Sequence, residues 1–341
     1  MLRVLRFRPI SVILSFALLL GATELGYVLP VSGRSSNSDV TSIPLAVDFH
    51  SVSLPFDTWV GNFLIAYSAW GSKSSPAVSV FDTRGNNTET PEFWIDGATS
   101  VRIDSASIDS NGTVYLAGLA VRDDGAHFHF IASVDPKGGP KSLIRTEPFA
   151  ASEICAAGDG SVWAFGHDVR LDRSRSSAHY ATLREYDFKQ GLKQALLDRQ
   201  SVSTGKFYPG GRYPGEVNLR FNGQNVGLYT GTGNEWIEVD TRTNEMHRWK
   251  VAPIRDRVQL QGFAFAPKGD VYALLFDQSV TPTTVGLFRL NKAAGQWDPI
   301  PGTVSPSAPG GLFELYGNTQ DSLVLRKREL DSSLYFSPFP R

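Results

Sequence analysis

The sequence predicts an all-β fold: a six-bladed β-propeller of four-stranded antiparallel blades, its ring closed by an N-terminal strand that completes the last blade. Three observations predict it. A hairpin signature recurs six times, a second strand-and-turn unit follows it at nearly constant spacing, and a spare N-terminal strand matches a last repeat that is one strand short. Self-similarity at a period near 50 residues is the mark of a propeller blade.

The hairpin signature is a strand, a turn rich in Asp, Asn and Gly, and a second strand. It reads Ile-Asp-Ser-Asn-Gly-Thr-Val-Tyr-Leu over Ile108–Leu116 and returns at Ala156–Ala164 and Phe265–Ala273. Weaker copies lie at Phe221–Leu228 and Tyr316–Leu323, and a degenerate one at Val60–Ile65. Asn, Asp and Gly tolerate the positive φ of tight turns, and apolar alternation resumes beyond them. The second unit is an apolar strand ending in Asp or Asn: Val78–Asp82, Ile131–Asp135, Leu183–Asp187, Trp236–Asp240 and Leu287–Asn291. Its terminal residues are spaced 53, 52, 53 and 51 apart, so each repeat is two consecutive hairpins. In the sixth repeat three strands are expected, near Gly311–Gly317, Leu323–Arg328 and Leu334–Phe339. The strand-like segment Thr41–Phe49 supplies the fourth, which removes an open edge and ties both termini down.

The Asp-Gly turn followed by Val-Tyr or Val-Trp resembles the repeat of six-bladed propellers of the NHL, gluconolactonase-like and TolB-like kind. The resemblance spans residues 41–341 as architecture and singles out no one family. It implies that ligands sit at the central channel, on the face opposite the Asp-Gly turns. Innermost strands carry Asp104, Glu153, Glu216, Asn218, Gln261 and Glu314. Gluconolactonase-like enzymes hold a divalent metal with Glu, Asn and Asp, so the likeness nominates Glu153, Glu216, Asn218 and Glu314 as metal ligands. Oxygen donors from several blades suit Ca²⁺ or another divalent ion. That family's ligand motifs are not matched residue by residue, and a water-filled polar channel explains the same residues.

Two enlarged connections on the ligand face offer a second site. One, Gly166–Tyr180, holds His167, Asp168, Arg170 and Arg173; the other carries Phe207, Tyr208, Arg212 and Tyr213. Guanidinium groups beside aromatic faces suit a sugar, aromatic or anionic ligand, with ordinary solvated loops as the alternative. His127 and His129 alternate with Phe128 and Phe130, so both imidazoles share one strand face, as a half-exposed strand or a two-histidine metal site. No Gly-x-Ser-x-Gly elbow, phosphate-binding loop or His-Glu-x-x-His motif occurs.

Composition narrows the class. A net charge of -1 leaves no field favouring nucleic acid. The single cysteine, Cys155, excludes an intramolecular disulfide and a cysteine-cluster metal site. Arg3, Arg6 and Arg8 precede an apolar run from Ile10 to Ala22, too short for the roughly 20 residues of a membrane span and suited to a secretory signal. Leu20 and Ala22 make a poor cleavage site, so an uncleaved inner-membrane anchor is the alternative. The expected organisation is therefore a signal or anchor over 1–30, a flexible leader over 31–39 and a propeller over 40–341. The leading functional expectation is a non-catalytic, monomeric module of a bacterial envelope, periplasmic or extracellular, binding a small molecule, glycan or envelope protein and requiring no cofactor. Touching the membrane only through its N-terminus, it has as its alternative a metal-dependent, lactonase-like hydrolase, and a lyase or glycan-active enzyme using the arginine- and aromatic-rich loops stands third.

Overall fold

The computed structural model describes residues 41–44, 56–60, 63–67, 70–71, 78–82, 84, 86–89, 91–135, 142–169, 181–197, 217–230, 235–252, 258–279, 284–303, 305–306, 313–327 and 333–340. Among these residues the secondary structure is entirely β, in six antiparallel sheets.

Strand β1 (Thr41–Pro44) comes first and belongs to the last sheet. Sheet 1 is β2 (Phe56–Val60), β3 (Phe63–Tyr67), β5 (Val78–Phe81) and β6 (Asn87–Glu89); the two-residue β4 (Trp70–Gly71), between β3 and β5 in the chain, pairs instead with the first strand of sheet 2. Sheet 2 is β7 (Ala98–Ile108), β8 (Val114–Arg122), β9 (His127–Val134) and β10 (Ser142–Arg145). Sheet 3 is β11 (Phe149–Ala156), β12 (Val162–Asp168), β13 (Ala181–Asp187) and β14 (Gly191–Ala195). Sheet 4 is β15 (Val217–Phe221), β16 (Asn225–Thr230), β17 (Glu235–Asp240) and β18 (Met246–Lys250). Sheet 5 is β19 (Val258–Phe265), β20 (Val271–Asp277), β21 (Thr284–Asn291) and β22 (Gln296–Pro299), with β23 (Ser305–Pro306) pairing β21. Sheet 6 is β24 (Phe313–Asn318), β25 (Ser322–Lys327) and β26 (Ser333–Pro338), completed by β1 with Thr41 opposite Phe336 and Pro44 opposite Ser333.

Turn chemistry explains where each hairpin closes. Asp109 Oδ1 accepts from the backbone N–H of Asn111 and Thr113, and Asn222 Oδ1 from Gln224 and Asn225. Gly112, Gly160 and Gly269 occupy the same place in three hairpins at φ of 86°, 85° and 86°, and Gly223 lies in a shorter turn at φ 98°, all where a Cβ is strained. Asp82, Asp187 and Asp240 close the second hairpins by accepting from backbone N–H groups two to four residues on.

Consecutive sheets bury facing apolar residues on one another. Ile65 and Val80 of sheet 1 pack with Val101, Ile103 and Phe130 of sheet 2. Ala117 and Ile131 of sheet 2 meet Phe149, Ile154 and Ala164 of sheet 3. Trp163 and Phe165 meet Leu219 and Leu228, Trp236 and Tyr229 meet Phe263 and Phe265, and Tyr272 and Leu274 meet Leu315 and Leu323. The first strands of the sheets also touch in succession: β2 with β7, β7 with β11, β11 with β15, β15 with β19, β19 with β24, and β24 with β2.

Candidate functional site

The first strand of a sheet has one side without a ladder partner along most of its length, although β4 pairs with part of β7. Between β7 and β11 side chains cover that side. Ser105 Oγ accepts from the N–H of Ile154 at 3.1 Å, and Ser107 Oγ from that of Ala156 at 2.9 Å; both serines are buried. Glu153 and Cys155 hold the corresponding positions on β11, which contacts β15.

Three of these strands carry a register shift at the same height: at Asp104 in β7, at Ser152 in β11 and at Gln261–Gly262 in β19. β24 shifts at Tyr316. A bulge bends its strand and re-aims the side chains beside it. Glycine makes room for it. A Cβ on Gly118 would lie 1.8 Å from the carbonyl oxygen of Arg102, and one on Gly166 would lie 2.0 Å from that of Ala150.

Charged side chains stand on neighbouring first strands. Arg102 Nε and Nη2 donate to the two oxygens of Asp104 at 2.6 and 3.0 Å. Burial raises the Asp104 carboxyl above the usual carboxylate range, opposed by its Arg102 hydrogen bond and charge. Glu153 is partly buried, and desolvation pushes its carboxyl up to about 7 although the Arg220 guanidinium pulls the other way. Burial in turn lowers Arg220, with Glu153 offsetting it. Arg220 Nη1 donates to the carbonyl of Leu219 at 3.1 Å. The Cys155 thiol, 4% exposed, is pushed up to about 12 by burial, so it is a protonated, unreactive core group.

Of the four residues nominated as metal ligands, Glu153 is the one whose side chain is described, and it feels the charge of Arg220. Asn218 lies on β15, Glu314 on β24 and Gln261 in the β19 bulge, their side chains outside the described set. Glu216, Arg170, Arg173, Phe207, Tyr208, Arg212 and Tyr213 lie outside the described residues. His167 and Asp168, expected in a loop, instead extend β12, where His167 pairs with Ala150 and Ala181 and is 5% exposed. His127 is exposed and His129 buried, so the shared strand face is wet at one end and dry at the other. Among the described residues no three His, Cys, Asp or Glu side chains converge to hold a metal.

Arg102 and Arg220 were not nominated. A signal existed for both. Arg102 and Asp104 are opposite charges two residues apart, and Arg220 stands two residues from the nominated Asn218, within reach of the same strand face.

No family model matches the chain, and no curated protein matches it. Among solved structures the chain is similar to the crystal structure of a "Putative exported protein" from Bacteroides fragilis NCTC 9343. The TM-score is 0.51 and the sequence identity 12%, over 89% of this chain and 95% of the other. At that identity the likeness speaks to the fold alone.

Proposed function

We propose that the chain is an exported six-bladed β-propeller that serves as a binding module, its ligand site at the mouth where the six innermost strands meet. The order of contacts among the first strands, which returns from β24 to β2, and the pairing of β1 with β26 support the propeller reading. The basic start and short apolar run support export, as does the fold shared with a Bacteroides protein described as exported.

One observation carries the binding reading: charged side chains gather on adjacent innermost strands, with Arg102 and Asp104 on β7, Glu153 on β11 and Arg220 on β15. Enclosing charge costs several kcal/mol per group unless it is paired, and strongly shifted groups cluster where proteins bind or react. A binding site gives that cost a return. The guanidinium beside Glu153 opposes a divalent cation there, which favours binding over the metal-dependent hydrolase.

The test uses the chain over 39–341. Elemental analysis and a thermal-shift screen of small metabolites, sugars and peptides are run on wild type and Arg220→Gln. The reading expects no stoichiometric metal, and a ligand that raises the melting temperature of wild type by mass action and raises that of Arg220→Gln less. A stoichiometric metal lost in Glu153→Gln overturns it in favour of the hydrolase.

A further inference from the structure

Two arginines of sheet 2 converge on one aromatic ring. Phe128 lies on β9, between Arg122 at the end of β8 and Arg145 at the end of β10. The guanidinium carbon of Arg145 is 4.3 Å from the Phe128 ring centroid and that of Arg122 is 5.6 Å from it, both inside the roughly 6 Å reach of a cation–π contact. The register puts all three side chains on one face. Phe128 stands opposite Ala120, two residues from Arg122, and Arg145 stands opposite Phe130, two residues from Phe128. The place is the end of sheet 2 away from the Asp109 turn, since Arg122 stands opposite Ala98, the first residue of β7, and Val114 opposite Ile108, the last. Both cations are open to solvent. Arg145 is exposed, and Arg122 is half-buried, with Nε enclosed and its terminal nitrogens accessible. Among the described residues no carboxylate forms an ion pair with either guanidinium, although Asp123, Asp124 and Glu147 are close by in the chain.

We propose that Arg122, Arg145 and the ring between them form a site for a small oxyanion, the carboxylate or phosphate group of a soluble molecule. The inference goes beyond the binding-module reading, because it assigns a ligand charge and a place outside the Glu153–Arg220 pair. Two like charges on one ring repel each other. An anion between them removes that repulsion and gains charge-assisted hydrogen bonds from both sides. The guanidinium fork selects the kind of anion, because its planar N–H donors match the paired oxygens of a carboxylate or phosphate. Contact with Phe128 restrains each head without supplying an acceptor for its fork. Arg145, as an exposed side chain, reorients fast enough to close on an anion already held by Arg122.

The experiment is isothermal titration of the full chain at pH 7 and low ionic strength with inorganic phosphate, with glucuronate, and with glucose as the neutral counterpart of glucuronate. The expected result is binding of phosphate or glucuronate, none of glucose, and an affinity about tenfold or more weaker in Arg145→Gln. The tighter of the two anions identifies the group as phosphate or carboxylate. Arg145 is exposed, so its replacement is expected to leave the fold intact. Arg242→Gln removes an exposed charge from the β17–β18 turn and should keep wild-type affinity. An affinity that Arg145→Gln leaves unchanged, or that Arg242→Gln weakens equally, overturns the site, because the anion then binds elsewhere or through surface charge in general. Glucose binding as tightly as glucuronate, or silence of both anions, also overturns it, and means that the two arginines only shield Phe128 with their alkyl stems. None of these results touches the module reading, which Arg220→Gln tests separately.

Discussion

Glu153 is held where its charge is expensive, and that makes it a sensor of pH for the whole fold. Its folded-state value near 7 lies above its ordinary value of 4.5, because desolvation outweighs the pull of Arg220. Between those two values the folded protein keeps a proton that the unfolded chain releases. The stabilisation is therefore complete below about pH 4.5 and is lost as pH rises through about 7. Glu153→Gln keeps the shape of the protonated acid and removes the titration. We expect it to match wild type at pH 4.5 and to be more stable at pH 8, by about 1–2 kcal/mol after allowance for solvent screening. Urea denaturation at the two pH values measures this. A variant less stable than wild type at pH 8 would show that the ionised carboxylate is needed by Arg220.

At the scale of one strand, the question is how an innermost edge survives beside its neighbour. The hydroxyls of Ser105 and Ser107 answer it for β11, by taking the two N–H groups that have no ladder partner. Ser105→Ala with Ser107→Ala leaves both donors buried. Each loss is worth about 1–3 kcal/mol, so the double variant should lose about 2–6 kcal/mol, read from the urea midpoint at unchanged m-value. A loss under 1 kcal/mol would mean that water reaches the edge and replaces the serines. The strands themselves were legible in the sequence, because the Asp, Asn and Gly of each turn have physical jobs: Asp109 and Asn222 accept from backbone, and Gly112 and Gly223 take positive φ. The bulges were not legible. Asp104 and Ser152 sit in runs whose alternation continues on either side, and the shift depends on a glycine in the partner strand, Gly118 or Gly166. For the same reason the candidate site was legible only in part. Glu153 was named from its strand position. Its electrostatic neighbour Arg220 depends on which strands become neighbours, and that information is spread over the whole chain.

For the whole molecule, the decisive feature is that sheet 6 is built from both ends of the described chain. Thr41–Pro44 pairs with Ser333–Phe336 as the outer strand, as the shortfall of one strand in the last repeat required. The described strand is shorter than the segment expected from sequence, and residues 45–50 lie outside the described set. If the six sheets close a ring as proposed, this clasp joins its first described strand to its last. Opening it exposes the edge of β26 and loosens the contact of β24 with β2 as well. Deleting residues 40–49 should then lower the melting temperature of the entire protein by roughly 5 °C or more, in a single transition, since each sheet is buried on its neighbours. Adding the deleted segment back as a peptide should restore part of the loss by mass action. A deletion variant that melts in two steps would mean that sheet 6 frays by itself and that the other sheets do not depend on closure. An unchanged melting temperature would mean that β1 is an accessory strand and that the contact of β24 with β2 holds the ring alone.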